Sequence, residues 1–168
     1  MFKRIKLRFQ DMKTISKLMT GADEHAHLNG KEEPGAEHFV LSALNLEDGS
    51  AQRVFEKMDA DADTFKEAIN QQYSDALASI GIESEVEISP DPIKSGKMFH
   101  NAQPSGQALM KALYALKQND KDRPLLGAHV LSVAAEMEQG IVARAFKVMG
   151  IDKEKLTPLI QRELSARY

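Results

Sequence analysis

Residues 38–69 read HFVLSALNLEDGSAQRVFEKMDADADTFKEAI, and residues 129–160 read HVLSVAAEMEQGIVARAFKVMGIDKEKLTPLI. At an offset of 91 positions, without a gap, the two stretches share nine residues: His38/His129, Ala43/Ala134, Glu47/Glu138, Gly49/Gly140, Arg53/Arg144, Phe55/Phe146, Met58/Met149, Asp61/Asp152 and Ile69/Ile160. Ordinary residue usage would match about one position in sixteen by chance. The chain therefore contains one unit twice, and we place the copies at 9–73 and 104–166, with a linker at 74–103 between them.

The apolar residues of each copy recur at helical spacing. Steps of three and four positions mark one side of a first helix: Ile15, Leu18, Met19, Ala22 and Ala26. The second helix of each copy, around 39–44 and 130–135, is apolar on nearly all sides and should lie at the centre. With two further helices in each copy, the sequence predicts an all-α protein. Two pseudo-symmetric four-helix repeats would pack as one compact domain over residues 1–168.

Composition narrows the functional classes. Hydrophobic residues make up 42% of the chain, which is enough for a core. A net charge of -3 argues against nucleic acid as a partner. The absence of cysteine excludes disulfides and thiolate chemistry. No apolar run approaches the roughly 20 residues that span a bilayer, so we expect no membrane contact. We predict a cytoplasmic protein without a cofactor.

The positions of the histidines indicate that they stabilise the fold and do not bind a metal ion. His25 and His27 are two positions apart, so on a helix they do not share a face and cannot bind one ion together. We therefore predict no metal site. His38 and His129 are equivalent in the two copies, and we expect each ring to join the start of a buried helix to a neighbouring backbone group.

The first nine residues alternate basic with apolar side chains, ending at Phe9. One interpretation is a strand-like basic arm that touches a membrane or a partner. The interpretation we favour is a chain start whose apolar residues, Phe2 among them, pack on the first helix. Within the linker, Pro90 and Pro92 rule out a long helix, and Met98-Phe99 is the best candidate there for an exposed apolar contact.

The entry to the second helix carries a family resemblance. Residues 35–44 read GAEHFVLSAL, and an acidic turn with Gly49 follows. This stretch resembles the Clp N-terminal repeat, which reads roughly G-T-E-H-L-L-L-A-L-L. In the second copy, residues 149–152 (MGID) are similar to the family's L-G-V-D joint, and residues 127–129 (GAH) form a weaker version of the entry. The resemblance extends over nearly the whole chain.

The resemblance implies a function. In Hsp100 unfoldases such as ClpA, ClpB and ClpC, the double repeat binds substrate proteins and adaptors. We therefore expect a non-enzymatic protein-binding module that recruits or shields substrates or adaptors for a Clp/Hsp100 ATPase or its protease. The chain has no G-x-x-x-x-G-K-[ST] phosphate loop, so we expect a free-standing copy without the ATPase activity. Two alternatives stay open: a structural or regulatory subunit of a Clp protease or secretion assembly, and a small-molecule-binding regulator or hydrolase.

The resemblance also suggests one polar site. Family members that recognise phosphoarginine use the glutamate of each G-T-E-H motif, which is kept here as Glu37 but replaced by Ala128 in the second copy. We therefore do not expect a two-site phosphoarginine reader. Our predicted residues for binding peptides or partners are Glu37, Met98, Phe99, Phe2 and Phe9.

Overall fold

The computed structural model describes residues 1–81 and 102–166, and across these two ranges the chain forms helices and no strands. Eight helices follow one another: α1 (Phe2–Leu28), α2 (Ala36–Leu44), α3 (Ser50–Glu56), α4 (Ala62–Ser79), α5 (Pro104–Asn119), α6 (Gly127–Ala135), α7 (Ile141–Val148) and α8 (Lys153–Ser165). The prediction of an all-α fold with four helices per copy is confirmed. Two boundaries differ from the predicted ones: α1 begins at Phe2 rather than near Phe9, and α4 continues through residues 74–79 of the predicted linker.

The two copies begin their fourth helices in the same way. Asp61 precedes α4, and its carboxylate accepts a hydrogen bond from the Thr64 backbone N–H at 2.8 Å. The equivalent Asp152 precedes α8 and accepts from the Lys155 N–H, also at 2.8 Å. Each aspartate thus satisfies one of the N–H groups that a helix leaves unpaired at its start. One of the nine shared residues therefore recurs because of its role in capping.

The core lies around α2 and α6, which contact each other. Every residue of α2 is buried, as are most residues of α6, which confirms that the second helices are the central ones. Beside them three phenylalanine rings, those of Phe55, Phe65 and Phe146, pack with centroids 5.6–6.2 Å apart. Phe146 comes from the second copy and the other two from the first. The copies therefore share one core.

The third and fourth helices interlock the two copies. α3 packs against α8, and α4 packs against α7, so each copy's third helix contacts the other copy's fourth. An ion pair crosses the first of these contacts: the Arg53 guanidinium donates to the Glu163 carboxylate, with Nε and Oε2 3.0 Å apart. Lys57 approaches the same carboxylate at 3.6 Å. Because Glu163 is buried, these cations compensate for its loss of hydration.

Candidate functional site: an exposed apolar face at the start of α1

Four apolar side chains are exposed along the first turns of α1. They are Phe2 (89% exposed), Ile5 (47%), Phe9 (69%) and Met12 (65%). Successive residues of an α-helix are rotated by about 100°, so positions spaced by three, four and three fall within an arc of about 80°. These four residues, which we call the N-terminal face, form one stripe about 15 Å long. It joins two of the predicted site residues, Phe2 and Phe9, on a single surface.

The opposite side of α1 holds the helix to the rest of the domain. Leu18, Ala22 and Ala26 are fully buried further along it. Nearer the start, the Asp11 carboxylate accepts the Leu125 backbone N–H at 2.7 Å and pairs with the Lys117 ammonium at 3.2 Å. Lys117 is itself mostly buried and donates to two backbone carbonyls of the loop between α5 and α6. This anchor fixes the direction of α1 and leaves the N-terminal face pointing away from the domain.

The strand-like conformation of the first nine residues and their packing on the first helix are therefore both wrong, whereas contact of this segment with a partner stays a prediction. The segment is helical rather than strand-like, and its apolar residues do not pack on the first helix, because they belong to that helix. A lone strand would leave its backbone groups without partners, whereas the helix pairs them along its own axis. Lysine and arginine, which make up four of the first nine residues, are also good helix formers. The alternation that predicts a strand coexists with the 3–4–3 spacing that predicts a helix, and the chain forms the helix.

Basic side chains surround the N-terminal face. The first 17 residues contain six lysines and arginines and a single acidic residue, Asp11. Two of the cations have acidic neighbours on the surface: Lys17 lies 2.5 Å from Glu47, and Arg4 lies 3.8 Å from Asp122. The whole chain has a net charge of -3, so positive charge is concentrated at this end of α1. The face therefore combines an apolar surface with a positive electrostatic field.

Glu37, the predicted polar recognition residue, lies in the interior. It is 2% exposed in the first turn of α2, and its Oε1 accepts a hydrogen bond from the Tyr73 hydroxyl of α4 at 2.6 Å. Burial and this bond to a carboxylate raise the pKa of Tyr73, so the phenol stays protonated and remains the donor. The Lys31 ammonium lies over the Tyr73 ring, 4.7 Å from its centroid. In this structure Glu37 joins α2 to α4 through Tyr73, and its role in binding a peptide or partner stays a prediction.

The two equivalent histidines occupy the same position in α2 and α6. The Nδ1 atom of His38 accepts the Gly35 N–H at 2.9 Å, and that of His129 accepts the Leu126 N–H at 2.9 Å. This confirms that each ring joins the start of a buried helix to a backbone group. Burial lowers the pKa of His38 to about 4 and also lowers that of His129. Both rings are therefore neutral near pH 7, and His38 does not form an ion pair with Glu37 despite their 3.8 Å separation.

A polar depression between α1 and α2 contains both serine and histidine side chains. The Ser42 hydroxyl there donates to the Leu18 carbonyl at 2.9 Å. His25 pairs instead with the Asn45 amide, its Nε2 lying 3.1 Å from the amide nitrogen. The hydroxyl proton thus goes to a backbone group rather than to an imidazole base, which is not the arrangement of an activated nucleophile.

Of the five predicted site residues, the structure brings Phe2 and Phe9 together and separates Glu37 from them. Met98 and Phe99 lie outside the described residues. Ile5 and Met12 complete the N-terminal face but were not predicted as site residues, although the spacing of the four positions could have identified them. In the described ranges, no cluster of three or more histidine, aspartate or glutamate side chains could hold a metal ion. No described helix is long and apolar enough to cross a membrane.

Comparison with known families identifies one match. The family model described as the Clp repeat N-terminal domain matches residues 13–107, which is more than half of the chain. The match starts within α1, just after Met12, and ends in the first turn of α5. The N-terminal face therefore precedes the matched region. The comparison with curated proteins finds no match.

Proposed function

Because the chain belongs to the Clp repeat N-terminal domain family, we propose that it is a non-enzymatic module that recruits or shields substrate or adaptor proteins for a Clp/Hsp100 ATPase–protease system in the cytoplasm. Domains of this family generally mediate protein interactions. The N-terminal face carries the proposal for this chain. It presents four exposed apolar side chains on one stripe of α1, and Asp11 on the other side of the helix binds the rest of the domain. Contiguous exposed apolar surface of this kind is typical of protein interaction sites.

The strength of such a contact can be estimated. Burying one large apolar side chain contributes about 1.5–3 kcal/mol, so covering the partly exposed four contributes about 4–8 kcal/mol before the costs of association. This supports weak, reversible binding by the face alone, as a recruiting module requires. Because α1 is already folded and anchored, little further conformational entropy is lost when a partner binds.

The test is co-precipitation of the tagged chain from its native lysate, with and without the substitutions Phe2→Ser and Phe9→Ser. We expect the unchanged chain to recover a Clp/Hsp100 component or its client proteins, and the double variant to lose most of that recovery. A matched control replaces Tyr114 and Val148 with serine; both are exposed apolar residues, on α5 and α7. A separate variant with Met98→Ser and Phe99→Ser tests the predicted linker contact.

A second measurement uses a permanently unfolded, reduced and carboxymethylated model protein as the client. Its binding to the chain, followed by fluorescence anisotropy, should weaken in the Phe2/Phe9 variant and not in the Tyr114/Val148 control. Recovery of no Hsp100 component and no client, together with no binding of the unfolded protein, would overturn the proposed function.

A further inference from the structure

The spacing of the N-terminal face is that of a coiled-coil seam. Phe2, Ile5, Phe9 and Met12 follow one another at intervals of three, four and three, which are the a and d positions of two successive heptads. The next a position is Ser16, so the apolar seam stops there. The helices that lie flat on membranes carry a broader apolar face, whereas this stripe covers an arc of only about 80°. A narrow seam fits the side of another helix better than it fits a lipid surface.

The charged positions beside the exposed part of the seam are all basic. With Phe2 at a, the e and g positions up to Ser16 are Met1, Lys6, Arg8, Lys13 and Ile15. Lys6, Arg8 and Lys13 carry the charge, and each of these three side chains is exposed. In a coiled coil, the side chains at e and g lie across from those of the partner helix, and their charges select the partner. The three cations therefore specify acidic side chains on the opposing helix.

A second copy of the chain is a poor occupant for the same reason. In a parallel pair of two such helices, Arg8 of one copy would face Lys13 of the other. In an antiparallel pair, Arg8 would face Arg8, and Lys6 and Lys13 would also meet like charges. Either arrangement places cations beside each other and no cation beside an acid, which is a pattern that disfavours self-pairing. Charge complementarity thus points to a different chain.

We propose that the N-terminal face pairs with an amphipathic helix of a partner protein, whose apolar seam is flanked by glutamate or aspartate, and that the two helices form a short heterotypic coiled coil. The inference rests on the proposed function, because it names the chemistry of the protein that the module recruits. The Asp11 anchor holds α1 from the side opposite the seam, so the helix is presented without prior rearrangement. The pairing involves residues that precede the family match and is a property of this chain.

The test uses two synthetic helical peptides of three heptads, each with leucine at a and d; one carries glutamate at e and g and the other lysine. We expect the full chain to bind the glutamate peptide and not the lysine peptide. Binding measured by fluorescence anisotropy should weaken about tenfold between about 50 mM and about 500 mM NaCl, because salt screens the flanking pairs. Phe2→Ser with Phe9→Ser should abolish it.

Charge reversal distinguishes coiled-coil pairing that is selected by charge from binding through the apolar side chains alone. In the variant with Lys6→Glu, Arg8→Glu and Lys13→Glu, affinity for the glutamate peptide should fall at least about tenfold, and the lysine peptide should now bind. The matched control reverses three exposed lysines elsewhere, Lys111, Lys121 and Lys147, and should retain the original preference. Circular dichroism should show that all variants remain folded.

Absence of binding to the glutamate peptide would overturn the inference, and so would each of three other outcomes. They are equal binding of both peptides, self-association through α1 in analytical ultracentrifugation, and binding to vesicles of about 3:1 phosphatidylcholine and phosphatidylglycerol without binding to the glutamate peptide. If the glutamate peptide does not bind but Hsp100 recovery still depends on Phe2 and Phe9, this inference fails and the proposed function stands. If the chain neither binds the glutamate peptide nor recovers an Hsp100 component or client through Phe2 and Phe9, the proposed function fails as well.

Discussion

Single residues at the ends of helices explain part of what the two copies share and where they differ. α3 and α7 end in the same way: the Ala60 N–H donates to the Phe55 carbonyl at 3.0 Å, and the Ile151 N–H donates to the Phe146 carbonyl at 2.8 Å. Such an ending needs a residue with positive φ just before the donor. The second copy has Gly150 there, with φ 69°, but the first has Asp59, with φ 53°.

Replacing Asp59 with glycine should stabilise the protein. An L-residue with positive φ carries a steric cost that glycine avoids, so we expect Asp59→Gly to raise the free energy of unfolding by about 0.5–1 kcal/mol in urea denaturation. Gly150→Ala is the reciprocal control and should lower it by about 1 kcal/mol, because a Cβ there meets no atom within 4 Å and only backbone strain remains. An unchanged or lower stability for Asp59→Gly would show that the aspartate side chain offsets its strain.

At the scale of elements, the sequence predicted helices well wherever packing dictates their pattern. The sequence of α2 and α6 is apolar on nearly all sides, and this pattern correctly predicted that both helices lie at the centre, because a helix without a polar side has to be buried. The prediction for the start of α1 was wrong because the segment carries both a period-two alternation, which is typical of a strand, and the 3–4–3 spacing of the helix that forms. Nothing local to Asp11 could have revealed its anchoring role, since its partners Leu125 and Lys117 are more than one hundred residues away in the chain.

Asp11→Ala should loosen the first turns of α1. The substitution leaves the Leu125 N–H without its acceptor and removes the carboxylate that pairs with the mostly buried Lys117 ammonium, and a buried unsatisfied donor costs about 1–3 kcal/mol. We expect a loss of stability in that range and faster hydrogen exchange of the amides in residues 5–14. Arg4→Ala is the control, because its pairing with Asp122 is fully on the surface, and it should change stability by less than about 0.5 kcal/mol. Protection that is equal in Asp11→Ala and the unchanged chain would refute the anchoring role.

At the scale of the whole molecule, the repeat in the sequence predicted two copies but not how they interlock. Sequence identity between equivalent positions identifies shared local roles, such as those of His38 and His129. Several contacts between copies join non-equivalent positions, for example Arg53 with Glu163 and Phe65 with Phe146, and self-comparison carries no signal for these. The sequence also predicted only part of the N-terminal face, Phe2 and Phe9, for a related reason. Exposure depends on which side of α1 the rest of the chain covers, and only the folded molecule defines that side.

The interlocking predicts that the two copies unfold together. Phe146 of the second copy packs against Phe55 and Phe65 of the first, so Phe146→Ala should cost about 3–5 kcal/mol in the free energy of unfolding, through lost apolar burial and the cavity it leaves. Because the core is shared, hydrogen exchange should show the same loss of protection in α2 of the first copy as in α6 of the second. Val148→Ala, which shortens an exposed side chain on the same helix as Phe146, should leave protection unchanged in both copies. Loss confined to the second copy, or two separate transitions in urea, would mean that each copy is stable by itself, in conflict with a core that both copies share.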